Sequence, residues 1–366
     1  MSKYKEEVNK ELKKKTDEIK KELPEPMRSF ISFKAASILS QRSLLSYATE
    51  LREFCRYLQD NNSYFGHKQM SDLSYEDFGA LNADDAIEFQ ASMNNVKKLA
   101  TIKHYRTTLT QFFDYLVAKE FIDRNPFAIL KIKGQEKKKD KKITYLTDKE
   151  KEAFLDALWH GTGIGKSYYE KNRIRDIAIC ELFLATGIRI SELVGLDITD
   201  IYFDNHMIDV MRKGAQENSS YVYLSDHIEE VLRECIKDRE RYSPAPDNKA
   251  LFLSYGQEKV IEKKEKDLKT GEETVVYFKK STPGTRINIK AVERMVKRYI
   301  KASVPNKYDV ITPHKLRTTF ASVMLRKTNG NAELVKDLMG HSTILSTESY
   351  IDSTADEQRR AIRGDE

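Results

Sequence analysis

The chain has 366 residues, 40% hydrophobic and 33% charged, with only 15 Gly and 8 Pro, enough apolar material for two or three folded domains and too little Gly and Pro for a collagen-like or low-complexity polymer. No apolar run approaches the roughly 18 residues a membrane span requires, and the Lys/Glu-rich start lacks the apolar stretch of a signal peptide. Lys and Arg exceed Asp and Glu by six, a hint of nucleic acid, while three scattered cysteines (Cys55, Cys180, Cys235) without CxxC spacing argue against a disulfide framework or a zinc cluster and fit a reducing cytoplasm. Residues 1–23 mix Lys and Glu with few apolar positions; they are compatible with a solvated helix that has little core to bury. From Ser43 to Leu58, Leu44, Tyr47, Leu51, Phe54, Cys55 and Leu58 recur at three- and four-residue steps, which predicts an amphipathic helix. Asp84 to Met93 supplies a shorter one. A third spans about Thr101 to Val117, with Ile102, Tyr105, Leu109, Phe112, Phe113 and Leu116 on its apolar side. Lys103, Arg106, Thr107 and Thr110 occupy the other side, suited to phosphates or simply to water.

Residues 28–130 therefore read as a small all-helical domain behind a charged 1–27 segment. Seven lysines crowd Lys131 to Lys142 (among them Lys137, Lys138, Lys139, Lys141 and Lys142) against Glu136 and Asp140. This basic stretch, 131–146, reads as a linker: a plain solvated spacer, or a strap across a phosphate backbone. Thr147 followed by Glu150 forms a helix-start pattern. Helical patterns then recur at 148–160, 174–185, 190–196, 226–240, 288–302, 313–326 and 331–339. Met207 to Leu224 breaks the series: two short apolar runs around a Gly-containing turn predict a β-hairpin. The charged stretch 257–286 reads as an inserted hairpin or loop. The fold class is mainly α, two domains, the second with a small β-sheet or hairpin.

Four pieces of the second domain carry groups suited to a phosphodiester. In Ala185-Thr-Gly-Ile-Arg-Ile-Ser-Glu-Leu193, Gly187 can end a helix in a left-handed conformation, with Arg189 and Glu192 then sharing a side of the next helix. Lys213 stands at the tip of the predicted hairpin. In Thr312-Pro-His-Lys-Leu-Arg317, Thr312 caps, Pro313 takes the first helical position, and His314 and Arg317 share a face. Gly340-His341 ends another helix, and Tyr350 follows. Singly, each has an ordinary reading: a surface ion-pair partner, a solvated lysine, a satisfied polar histidine, one tyrosine among 19. His314 and His341 lack the Asp, Glu or Cys company of a metal site, so a metal-site reading of the pair fails.

In this order, and with flanks such as His-Lys-Leu-Arg-Thr-Thr-Phe-Ala-Ser and Leu-Met-Gly-His-Ser-Thr, the pieces resemble the tyrosine recombinase (phage integrase) family, especially its Xer-type members. The resemblance covers roughly residues 28–355. It implies a core-binding (SAM-like) helical domain at 28–130, a catalytic domain at 147–355, a tail at 356–366, and a reaction with no net hydrolysis and no metal or other cofactor. Arg189 and Arg317 would neutralise the non-bridging oxygens of the attacked phosphate, in keeping with their fixed charge and forked donors. Tyr350 would be the nucleophile; as a phenol of pKa about 10 it is only about 0.1% ionised at pH 7, a handicap of roughly 4 kcal/mol. Lys213 would be the general acid for the departing 5′-oxygen. His314 would assist proton transfer, His341 would donate a hydrogen bond to the developing charge, and Glu192 would orient the site. Duplex DNA at a roughly palindromic site, gripped by four protomers on two duplexes, is the implied partner, with Lys103, Arg106 and the linker lysines as DNA contacts, no membrane, and a cytoplasmic, nucleoid-associated location. Chromosome dimer resolution and movement of a mobile element both remain open, as do a type IB topoisomerase-like relaxation and a non-catalytic DNA-binding role. Thr318 stands where family members commonly have His, and the segment before residue 28 is short for the arm-binding domain of larger phage integrases.

Overall fold

The computed structural model describes residues 3–37, 40–94, 96–131, 144–210, 220–242, 245, 247–256, 260–266, 273–279 and 283–340. The chain divides into two compact units, Met1–Lys139 and Asp140–Glu366.

The first unit is helical: α1 (Lys3–Glu22), α2 (Glu25–Ala36), α3 (Gln41–Asn61), the short α4 (Ser63–Gly66) and α5 (Tyr75–Gly79), α6 (Ala83–Met93) and α7 (Leu99–Ala118). The predicted apolar stripes of α3 and α7 face each other. Leu51, Phe54, Cys55, Leu109, Phe112, Phe113 and Leu116 are all shut off from solvent. Asn125 folds the chain end back onto α7, donating to Thr110 O at 3.0 Å and to Asp114 at 2.6 Å while accepting from the Phe127 N–H at 2.8 Å. Phe127 is thereby stacked on Phe113, ring centroids 5.4 Å apart. One expectation needs amending: α1 is not merely solvated. Thr16, Ile19 and Leu23 are buried, and Glu22 pairs with Arg52 and Arg56 of α3 at 3.2 Å each. Few apolar residues suffice, because a helix needs only one narrow stripe against a neighbour.

The second unit opens with α8 (Asp148–His160), begun by the anticipated capping box of Thr147 and Glu150. The buried α9 (Lys166–Thr186) and the four-residue α10 (Ile190–Leu193) follow. A three-stranded antiparallel sheet runs β1 (Ile201–Tyr202), β2 (Met207–Val210), β3 (Ser220–Tyr223), with Ile201 opposite Ile208 and Ile208 opposite Val222. The expected hairpin is β2–β3; β1 is an added edge strand. Next come α11 (Asp226–Arg239) and an antiparallel pair, β4 (Val260–Lys266) and β5 (Glu273–Lys279), inside the predicted insertion, then α12 (Ile289–Ser303), α13 (Pro313–Lys327) and α14 (Ala332–Met339).

Two tertiary links bear on the site. Where the chain leaves the 250s, the Leu251 N–H donates to Leu196 O at 2.9 Å and the Ile287 N–H to Phe252 O at 2.9 Å, so residues 250–254 lie between the segment after α10 and the segment after the insertion. At the entrance to the unit, the Leu146 N–H donates to Thr319 Oγ1 of α13 at 3.0 Å, and Lys307 Nζ holds Tyr145 O at 3.0 Å and Glu150 at 2.6 Å.

Candidate active site

The end of α9 sets the geometry. Gly187 lies at φ +61, and a Cβ there would stand 2.4 Å from the Phe320 ring of α13. Only glycine meets both demands, a left-handed backbone and near-contact with an aromatic face. The chain can therefore turn against α13 and begin α10 with Arg189 at its N-cap position. Glu192, one turn on, accepts from the Arg189 N–H at 2.9 Å and from Nη1 at 2.8 Å. Nη2 of Arg189 reaches Gly340 O at 3.1 Å.

Arg317 approaches from α13 and is 2% exposed. Its Nη2 donates to Met339 O at 2.6 Å, and its Nη1 donates to Gly187 O. The two arginines, 128 positions apart in sequence, thus grip successive carbonyls at the end of α14. That helix stops at Gly340, φ +59, leaving its last carbonyls without helical donors. Guanidinium groups supply them, a charge-favoured arrangement at the negative end of a helix dipole.

His314 stands in the first turn of α13, one turn before Arg317. The protein around the ring, followed by Arg317, Lys315 and Arg189, holds its imidazole below the ordinary histidine value. It is therefore neutral at physiological pH and able to accept a proton. The cap itself differs from expectation: Thr312 occupies the N-cap position, but its side chain makes no capping bond; its backbone carbonyl does that work for Lys315 and Leu316, behind Pro313. Thr318 is buried and donates to His314 O at 3.1 Å, tying the helix turn beneath the histidine.

Arg189, Glu192, His314 and Arg317 are thus brought together. Lys213, His341 and Tyr350 lie outside the described residues, as do Lys137, Lys138, Lys139, Lys141 and Lys142. Lys103 and Arg106 belong to the outer, partly solvated side of α7 in the first unit. Among the described residues, no three His, Cys, Asp or Glu side chains stand together as a metal would require, and no helix is long and apolar enough to cross a membrane.

One feature of the second unit was not anticipated from the sequence. Arg294, Lys297, Arg298 and Lys301 of α12 line a groove of about 910 Å³ with Glu293, Gly163 and Tyr308; Thr312 and Pro313, the two residues before His314 in the chain, also line it. Lys297 stands 4.6 Å over the Tyr308 ring and Arg298 3.6 Å over Tyr168. The signal was present as basic residues at i, i+3, i+4 and i+7, one face of a helix, but interleaved apolar residues keep it from reading as a charge run.

The sequence profile of the phage integrase family matches residues 144–357. The chain belongs to the phage integrase family. It is a tyrosine recombinase family enzyme, and the family cuts and rejoins DNA. Over 96% of its length the chain is 26% identical to tyrosine recombinase XerS of Streptococcus agalactiae, covering 98% of that protein. It is 27% identical to tyrosine recombinase XerC of Pediococcus pentosaceus over 88% of this chain and 91% of that one. Among solved structures, XerH bound to its difH substrate matches with TM-score 0.57 and 20% identity, over 92% of this chain and 83% of that one. The Tn1549 transposon integrase in complex with transposon right end DNA matches with TM-score 0.57 and 20% identity, over 86% and 92%. At such identity these two establish the shared fold, a mainly helical chain with a helical first domain and a small antiparallel sheet in the second.

Proposed function

We propose that this integrase-family chain is a site-specific recombinase acting through a covalent 3′-phosphotyrosine formed on Tyr350. The observation that carries the reading is the meeting of Arg189 and Arg317 on one helix end, with His314 one turn before Arg317 on the same helix. The scissile phosphate is held by the two guanidiniums, which neutralise its non-bridging oxygens and the charge that builds in the transition state. The phenolic oxygen of Tyr350 attacks phosphorus, its proton passing toward His314. The P–O5′ bond breaks, and Lys213 protonates the departing 5′-oxygen. His341 adds a hydrogen bond to the phosphate. Glu192 orients Arg189 and carries no proton. One phosphodiester is exchanged for another, so the free 5′-hydroxyl of a second strand can reverse the step without ATP.

The first unit serves as the core-binding domain and the second as the catalytic domain, with four protomers holding two duplexes. Lys103, Arg106, the linker lysines and the α12 groove neutralise backbone phosphates. Similarity to XerS and XerC over nearly the whole chain favours resolution of chromosome dimers at a compact, roughly palindromic site, with movement of a mobile element as the alternative use of the same chemistry.

The test is a suicide duplex carrying a site that the protein itself selects from randomised DNA. Wild-type protein is expected to give a denaturant-resistant protein–DNA adduct that Tyr350→Phe does not form. No adduct with wild type overturns the reading; an adduct with Tyr350→Phe removes Tyr350 as nucleophile.

A further inference from the structure

Arg189 begins a helix of four residues, too short to hold itself together in water. Its start is secured by Glu192. What secures its end is Arg286, the last residue of the charged stretch 257–286. Nη1 of Arg286 donates to Val194 O at 3.0 Å and to Leu196 O at 2.8 Å, and Nη2 pairs with the Asp197 carboxylate. Val194 is the residue directly after α10, and both side chains of the ion pair are largely covered, 16% and 14% exposed. The same segment is laced to its surroundings by the backbone: the Ser254 N–H donates to Thr285 O at 2.7 Å and the Gly284 N–H to Ser254 O at 3.0 Å. Arg286 is therefore a fixed post, and α10 is strung between it and the helix end that receives Arg189.

We infer that Arg286 is a positioning residue for catalysis, holding the C-terminal end of α10 so that the Arg189 guanidinium meets the scissile phosphate. Arg286 does not touch the phosphate. It acts on where Arg189 points, and a misplacement of about 1 Å in a group that must meet a transition state can cost roughly 100-fold in rate. Arg286 follows β5 by seven positions in the chain, and its link to the end of α10 is made by hydrogen bonds and the ion pair with Asp197.

The inference rests on the proposed role of Arg189, and its test separates the two. Adduct formation is measured on two suicide duplexes, one with a normal scissile phosphodiester and one with a methylphosphonate there. The methylphosphonate lacks the anionic oxygen that Arg189 neutralises, so the defect of Arg189→Ala is expected to shrink on it. Arg286→Met is expected to slow cleavage of the phosphodiester by roughly 10- to 100-fold, to leave DNA affinity within about threefold, and to follow Arg189→Ala in recovering on the methylphosphonate. Arg286→Lys, which keeps the charge but lacks the fork that holds the two carbonyls with one nitrogen and Asp197 with the other, should fall between wild type and Arg286→Met. An Arg286→Met defect equal on both substrates, while that of Arg189→Ala shrinks, overturns the positioning role and leaves Arg286 a plain structural residue. Should Arg286→Met fail to fold, Asp197→Asn is compared on the same two duplexes, with a smaller defect of the same pattern expected and an equal defect on both overturning the inference. Absence of any wild-type adduct would instead strike the proposed chemistry.

Discussion

Arg317 is 2% exposed while the Arg189 side chain is 32% exposed, so substitution at Arg317 is expected to cost stability as well as activity, and substitution at Arg189 chiefly activity. Arg317→Ala strips charged donors from Gly187 O and Met339 O, at about 1–3 kcal/mol for each carbonyl left unpaired; chemical denaturation is expected to show that loss together with an inactive enzyme. Arg189→Lys keeps a charge beside Glu192 but loses the fork. Adduct formation should fall roughly 10²-fold with little change in the denaturation midpoint. At His314, surrounding protein and then the charges of Arg317, Lys315 and Arg189 oppose protonation. The acid limb of kcat/KM for adduct formation, which reports the free enzyme, is accordingly expected below pH 6.5, the ordinary histidine value. Stability has the matching sign: the unfolded chain takes up the proton first, so the contribution of the neutral imidazole is complete above 6.5 and fades as the pH falls toward the depressed value. Both trends should vanish in His314→Gln, and an acid limb at or above 6.5 would remove His314 as the group observed.

Gly187 is the hinge between elements α9, α10 and α13. Gly187→Ala imposes a left-handed alanine and drives a methyl into Phe320, a combined cost of about 2–4 kcal/mol. Adding Phe320→Leu is expected to relieve the collision but not the backbone strain, so thermal denaturation should show partial recovery; full recovery would mean that φ is not the constraint. The elements show what a chain reveals before it folds. α3, α7 and α13 carry apolar stripes, and the glycine-to-arginine turn at 187–189 carries its own conformational signature, so all were legible. The start of α9, before residue 174, was not. Tyr168 and Asn172 are directed inward there, Tyr168 donating to Asp176 at 2.7 Å and Asn172 accepting from Arg175 at 2.9 Å, and inward polar residues erase the periodicity that marks a helix. Arg286 was invisible for another reason: its partners lie 89 to 92 positions away, and no local pattern encodes such a meeting. The arginine pair became legible only through its flanking residues, since spacing alone leaves each arginine an ordinary surface group.

At the scale of the whole molecule, an excess of six cations is modest, and its placement decides how DNA is held. If the α12 groove follows the phosphate backbone, replacing Arg294, Lys297, Arg298 and Lys301 by Gln should lower the slope of log affinity against log salt by about 0.9 for each phosphate no longer neutralised. Neutralising Lys137, Lys138, Lys139, Lys141 and Lys142 should lower it separately if the linker is a strap. Fluorescence anisotropy across a salt series measures both, and an unchanged slope for either set assigns those residues to solvent. The way the chain enters its second unit adds a mechanical side to this arrangement. Leu146 is fastened to Thr319, two positions beyond Arg317, and Tyr145 is moored by Lys307. A load on residues 145 and 146 would therefore be shared between Lys307 and α13, the helix that also carries His314 and Arg317.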